Sequence, residues 1–181
     1  MDINKLIWDK YRVRQRLVEE RDAEFITMLR SDKSLAKHIH FADGNVEKQR
    51  EWIRHYKQRE ALGKEYYFIY ESETGQCYGT TRLSDFDDHS CVAGSWLFLP
   101  ESPSGLPIFA SILTTKFAFD LPNIVYMRFD VRKLNKKVVR YNTTFWNLTK
   151  VAEDDLNNYY ISTRENFNQR VERLIELVNL M

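Results

Sequence analysis

The stretch that most constrains this chain runs from Ile108 to Phe119. It is a predicted helix that places Ile108, Phe109, Ala110, Ile112, Leu113, Phe117 and Phe119 nearly all round its circumference. A helix with no wide polar face has to be buried on most sides. The neighbouring text supplies a cover. Cys91 to Phe98 reads as a strand, Leu99 to Pro107 as a loop rich in Pro, Ser and Gly, and Ile124 to Val131 as a second strand. A strand–helix–strand unit of this kind is the natural place for a parallel pair joined by a right-handed crossover.

Upstream, residues 11–18 alternate polar and apolar as a half-exposed strand does. A helix over 22–31 follows, with Phe25, Met28 and Leu29 at helical spacing. Residues 33–45 read as a loop, and Asn45 as the cap of a charged helix over 46–61 that stops at Gly63. Tyr66–Tyr70, Cys77–Leu83 and Cys91–Phe98 then form an antiparallel three-strand meander, with turns at 73–76 and 85–90. Downstream come a short helix over 135–145 and a strand over 158–163. A capping box at Ser162 and Glu165 opens a C-terminal amphipathic helix over 165–180 carrying Phe167, Val171, Leu174, Ile175 and Val178. This order predicts one α/β layered domain over 1–181. Its sheet is mixed and mostly antiparallel, with helices on both faces.

Bulk composition excludes several function classes. Twenty-seven Lys and Arg balance 26 Asp and Glu, a net charge of +1, so no nucleic-acid footprint is expected. No apolar run approaches the ~18 residues of a membrane helix, and no signal-peptide pattern opens the chain. A cytoplasmic location and no membrane partner are expected. Cys77 and Cys91 have no metal-ligand spacing and are expected to be buried free thiols. The His38–His40 pair suggests a metal only if a third ligand is near. None stands at a typical spacing, so no metal is expected.

The order of elements resembles the GNAT superfamily of acyl-coenzyme A N-acyltransferases. Residues 12–30 look like the opening strand and helix of the subgroup that acetylates ribosomal-protein N-termini and nucleotide-linked amino sugars. Gln49-Arg-Glu-Trp52-Ile53 resembles that subgroup's second helix. Gly79-Thr80-Thr81-Arg82-Leu83 resembles the end of its third strand, and Gly94-Ser95-Trp96-Leu97 its fourth. Phe117-Ala118-Phe119 matches the end of the helix after the phosphate loop, and Asn135 with Val138 the start of the next. The resemblance covers roughly residues 10–162.

The resemblance implies an acetyl-coenzyme A-dependent N-acetyltransferase acting on a small-molecule or peptide amine. A nucleotide-linked amino sugar is favoured over a protein N-terminus. Trp96, Leu97 and Phe98 are expected to offer backbone groups to the coenzyme's pantetheine arm. Ser104, Gly105 and Leu106 are expected at its phosphates, where a helix N-terminus presents N–H groups, and Asn135 nearby. His38, His40, Trp52 and Arg82 are expected to shape the acceptor pocket. Three functional positions depart from the family pattern: Ser102 and Pro107 alter the phosphate loop, Val92 stands where the family often has a catalytic Glu, and Asn142 stands where it has a Tyr. Tyr141, one place earlier, would point about 100° away on a regular helix, and serves only if the helix is irregular there. His89, beside Asp88, is a further candidate base. These departures motivate an alternative reading, a catalytically silent GNAT fold that binds coenzyme or a partner. The C-terminal helix either packs on its own domain or forms a homodimer contact.

Overall fold

The computed structural model describes residues 2–39 and 44–181. The predicted order of elements is present, with two additions. The chain runs α1 (Ile3–Tyr11), β1 (Val13–Leu17), a 3-10 turn (Glu20–Asp22), α2 (Ala23–Ser31), α3 (Val46–Ala61), β2 (Tyr66–Ser72), β3 (Cys77–Ser84), β4 (Ser90–Phe98) and α4 (Leu106–Asp120). It continues through β5 (Tyr126–Arg132), α5 (Lys136–Arg140), a π turn (Tyr141–Phe145), β6 (Thr149–Glu153), β7 (Asn157–Thr163) and α6 (Arg164–Asn179). The seven strands form one sheet in the order β1-β2-β3-β4-β5-β7-β6. Among the described residues, only β4 and β5 pair in parallel, across the α4 crossover.

The two additions have weak sequence signals. Helix α1 buries only Ile3 and Ile7, one turn apart, and its cap is Asp2, whose carboxylate accepts from Lys5 N at 3.1 Å. Strand β6 is exposed along its whole length and carries no buried face to pattern. The start of α6 also differs from expectation. Its cap is Thr163, whose hydroxyl accepts from Asn166 N, so no Ser162–Glu165 box forms. The other predicted cap holds: Asn45 accepts from Lys48 N at 3.0 Å.

Two apolar cores lie on opposite faces of the sheet, and β2 feeds both. Tyr67 and Ile69 pack with α2 and α3 around Ile26, Ile53 and Tyr56. Phe68 and Tyr70 point the other way, into the larger core built on α4. Around α4 stand Ile3 and Ile7 of α1 and Phe167, Leu174, Ile175 and Val178 of α6. The helix that had to be covered on most sides is covered by the sheet and by both terminal helices. The Tyr70 hydroxyl lies beneath it, donating to Ala110 O at 2.9 Å and lying 3.0 Å from Thr114 Oγ1. At the far edge of the same sheet, Arg16 binds Glu71 and Asp22 together. Arg16, helped by Arg14, holds the Glu71 carboxyl down at about 2 despite its burial. Cys91 is buried and Cys77 half-buried, so the expectation of two buried thiols holds for one of them; both are free. No described helix is long and apolar enough to cross a membrane.

Candidate active site

Strands β4 and β5 stay paired for three residues and then separate. The register runs Ser90↔Tyr126, Cys91↔Met127 and Val92↔Arg128, and ends there. On its other edge β4 remains paired to β3 as far as Phe98, but with a slip. Arg82 faces Gly94 and Thr80 faces Leu97, so two residues of β4 stand against Thr81. Ser95 takes φ +48 at that bulge, and Thr80 Oγ1 donates to its carbonyl at 2.8 Å. A bulge bends its strand and leaves the extra residue outside the ladder. Here it sits where β4 turns away from β5.

A cavity of about 150 Å³ occupies the resulting wedge. Gly94, Ser95 and Trp96 line it from β4, and Asp130 and Arg132 from β5. Of the residues expected at a site, His38, Arg82, Trp96, Asn135, Tyr141 and Asn142 all reach it. Asn135 also caps α5, accepting from Val138 N at 3.3 Å.

Tyr141 reaches the cavity because the helix is irregular there. Trp146 N donates to Tyr141 O at 3.2 Å, the i→i+5 bond of a π turn. In that wide turn Tyr141 and Asn142 are both buried, and both line the cavity. The Tyr141 ring stacks on Trp96, centroids 5.0 Å apart. Its hydroxyl lies 2.6 Å from Ser111 Oγ and accepts from Trp146 Nε1 at 2.8 Å. Burial pushes this phenol up to about 12, with Ser111 and Trp146 opposing the shift. It is therefore neutral, and able to donate a hydrogen bond, at any physiological pH.

Sequence reading missed two groups here, Ser111 and Asp130. Ser111 was one polar residue on an otherwise apolar helix. Asp130 stands at the rim, and partial loss of solvent raises its carboxyl above the ordinary range. A charged residue inside a strand of the parallel unit was the available signal, because such strands are normally apolar throughout.

The other expected residues that are described do not line this cavity. His89 is exposed in the turn before β4, where its carbonyl accepts from Val125 N. Leu97 is buried in the core, and Phe98 packs on Tyr70. Trp52 stacks on Tyr56, and the guanidinium groups of Arg59 and Arg82 each lie 5.2 Å from its ring centroid. His40 falls outside the described residues. Val92 stands inside the paired segment, opposite Arg128. Among the described residues no group of three or more His, Cys, Asp or Glu is placed to hold a metal.

The loop before α4 is built differently from a bare anion cradle. Gly105 has φ +80, and a Cβ there would lie 2.7 Å from Val178 Cγ1 and 2.8 Å from the Tyr11 hydroxyl. That hydroxyl donates to Ser104 O at 2.6 Å, and Lys10 Nζ reaches Val178 O. Leu106 is wholly buried. Leu106 N donates to Pro103 O, Ile108 N and Phe109 N both turn to Gly105 O, and Pro107 has no N–H. Gly105 thus lets both terminal helices close on the start of α4. Gly105→Ala is expected to cost roughly 2–4 kcal/mol from φ strain and overpacking. Gly94→Ala, with open space around the new methyl, should change stability by less than ~1 kcal/mol. Urea unfolding of the two variants measures this, and equal stabilities would refute it.

The acetyltransferase (GNAT) domain profile matches residues 12–142. No curated protein matches. Among solved structures, apo FdhC, described as a nucleotide-linked sugar GNAT, superposes with TM-score 0.81 at 33% identity. That match covers 92% of this chain and 94% of the other. The ribosomal-protein-S5-alanine acetyltransferase of Vibrio fischeri superposes with TM-score 0.72 at 15% identity, covering 86% and 95%. The spermidine N-acetyltransferase of Vibrio cholerae, in complex with CoA and spermine, gives 0.69 at 14%, covering 87% and 98%. A divergent parallel pair with a bulged β4, matched over most of the chain by this profile and by a 33% identical structure, identifies the protein as a member of the GNAT acetyltransferase family.

Proposed function

We propose that this protein transfers the acetyl group of acetyl-coenzyme A to the primary amine of a nucleotide-linked amino sugar. The observation that carries the reading is the wedge between β4 and β5 with the Tyr141 phenol buried beside it. Pantetheine is an extended chain of amides, and the edge of β4 beyond Val92 is where a strand-like ligand would pair. The amine nitrogen attacks the thioester carbonyl carbon, the C–N bond forms, and the C–S bond breaks. The amine's proton passes to His38 or Asp130, directly or through water. Tyr141 hydrogen-bonds the departing thiolate. A phenol near 12 does not fully protonate a thiolate of ordinary pKa, about 8.5. The hydroxyl therefore acts by stabilising charge, and solvent completes the protonation.

The choice of a nucleotide-linked acceptor rests on FdhC, which is 33% identical over nearly the whole chain. The polyamine and ribosomal-protein enzymes, near 15% identity, support the fold alone. The coenzyme's phosphates meet an N-terminus of α4 whose first-turn donors are already used or absent. Affinity for the coenzyme should then come chiefly from the pantetheine arm. Calorimetry with acetyl-coenzyme A is expected to show saturable binding below about 1 mM. Free-thiol release should require an amino sugar carrying its nucleotide. No binding at that concentration would overturn the reading, and equal turnover of a simple amine would overturn the acceptor.

A further inference from the structure

A second cavity, of about 240 Å³, shares Arg82 with the wedge. Its walls are the inner faces of α2 and α3 and the sheet beneath them. That volume is far above the ~10–15 Å³ that admits a single water. Two of the residues that line it carry a buried side-chain atom without a hydrogen-bond partner: the hydroxyl of Tyr67, in a residue 2% exposed, and Thr27 Oγ1, in a residue 5% exposed. Buried polar atoms are normally satisfied, and leaving two unsatisfied in one cavity is destabilising in the free protein. Arg30, Lys48 and Arg82 also line it, and among the described residues no carboxylate does.

Arg82 joins this cavity to the wedge, because it lines both. It is held in place from behind. Its Nε donates to the buried Glu65 carboxylate at 2.6 Å, Arg59 Nε takes the other oxygen at 2.6 Å, and both guanidinium groups lie over Trp52. A guanidinium fixed through Nε keeps its remaining N–H groups for a planar oxyanion. Arg82 with its remaining N–H groups, beside two unmet hydroxyls, suits a ligand rich in anionic oxygen.

We infer that this cavity is the subsite for the diphosphate of the acceptor, with the Thr27 and Tyr67 hydroxyls hydrogen-bonding its oxygens and Arg82 standing between the diphosphate and the sugar amine. The inference rests on the proposed acceptor class, and extends it by naming residues that would recognise the acceptor's charged part. An acceptor with its amine in the wedge passes Arg82 on leaving it. In a nucleotide-linked amino sugar the diphosphate is the next group beyond the sugar ring.

The test is calorimetry on the full chain with uridine and thymidine diphosphates, no sugar or coenzyme being present. Coenzyme A, which carries phosphates of its own, forms a second arm. The variants are Thr27→Val, Tyr67→Phe and the double change. Wild type is expected to bind a nucleoside diphosphate, and the double variant to bind it at least about tenfold more weakly. Coenzyme A should bind wild type and variants alike. The variants remove hydroxyls that have no partner, so melting of the free protein should be unchanged or raised. Equal diphosphate affinity in wild type and double variant would overturn the inference, as would no binding by wild type at about 10 mM. A parallel loss of coenzyme A affinity would assign the phosphates to the coenzyme instead, and a lowered melting temperature would show that the hydroxyls are partnered. The acceptor reading fails separately. It fails if a nucleotide-linked amino sugar releases no thiol, even where hydroxyl-dependent diphosphate binding persists.

Discussion

A chain ending at Thr163 will not hold this fold. Removing α6 takes Phe167, Leu174, Ile175 and Val178 out of the core built on α4, and all four are buried. Burial of a side chain of this size is worth about 1.5–3 kcal/mol, so the loss is on the order of 6–12 kcal/mol. A whole domain has only about 5–15 kcal/mol of stability. The truncation also strips the Phe167 ring from Trp146 and Phe119, and Val178 from Gly105. The expected result is loss of the cooperative thermal transition in near-UV circular dichroism, with exposed apolar surface and aggregation. A truncated chain that melts cooperatively within a few degrees of the full one would refute this account. The same contacts bear on the alternative role for α6. Its apolar stripe is already occupied within the chain, so any contact between copies would use its polar face.

Tyr141→Phe will lower turnover by about 10²-fold or more and leave the Michaelis constant for acetyl-coenzyme A within a few-fold. The substitution keeps the ring on Trp96 and removes only the hydroxyl. It also leaves Trp146 Nε1, in a buried residue, without its acceptor, at a cost of about 1–3 kcal/mol. Activity is therefore compared well below the melting temperature of the variant. Because burial holds the phenol near 12, the protonated form persists through the working range. Wild-type turnover should show no alkaline limb from this group below about pH 10. His89→Ala, at an exposed turn outside the cavity, should change turnover by less than about twofold. Turnover of Tyr141→Phe within threefold of wild type would remove Tyr141 from the mechanism and leave the leaving thiolate to solvent.

Much of the fold was legible because its signals are local. The aromatic and β-branched run of β2, the apolar run of α4, the Asn45 cap and Gly63 past the end of α3 each follow from short-range chemistry. Helix α1 and strand β6 were not legible, since one has two buried positions and the other none. The cap of α6 was misplaced by one residue because Ser162 and Thr163 are both good caps, and the choice depends on where β7 ends. The site was partly legible. Position in the family pattern singled out Trp96 and Asn135 for the coenzyme and Arg82 for the acceptor, and all three line one cavity, yet it gave no sign that Ser111 or Asp130 would join them.

Gly105 marks the limit of what its text conveyed. As a sequence feature it was the surviving glycine of a phosphate loop. In the folded chain it is the point where residues from both termini, Tyr11 and Val178, close on α4. The sequence by itself determined which segments are helices and strands, because periodicity, caps and turn residues act within a few positions. It also determined that Ile108–Phe119 had to be enclosed. Only the tertiary structure decided what encloses it, where β4 leaves β5, and that the π turn brings Tyr141 to the cavity. Those outcomes depend on contacts between residues tens of positions apart, and no local pattern encodes them.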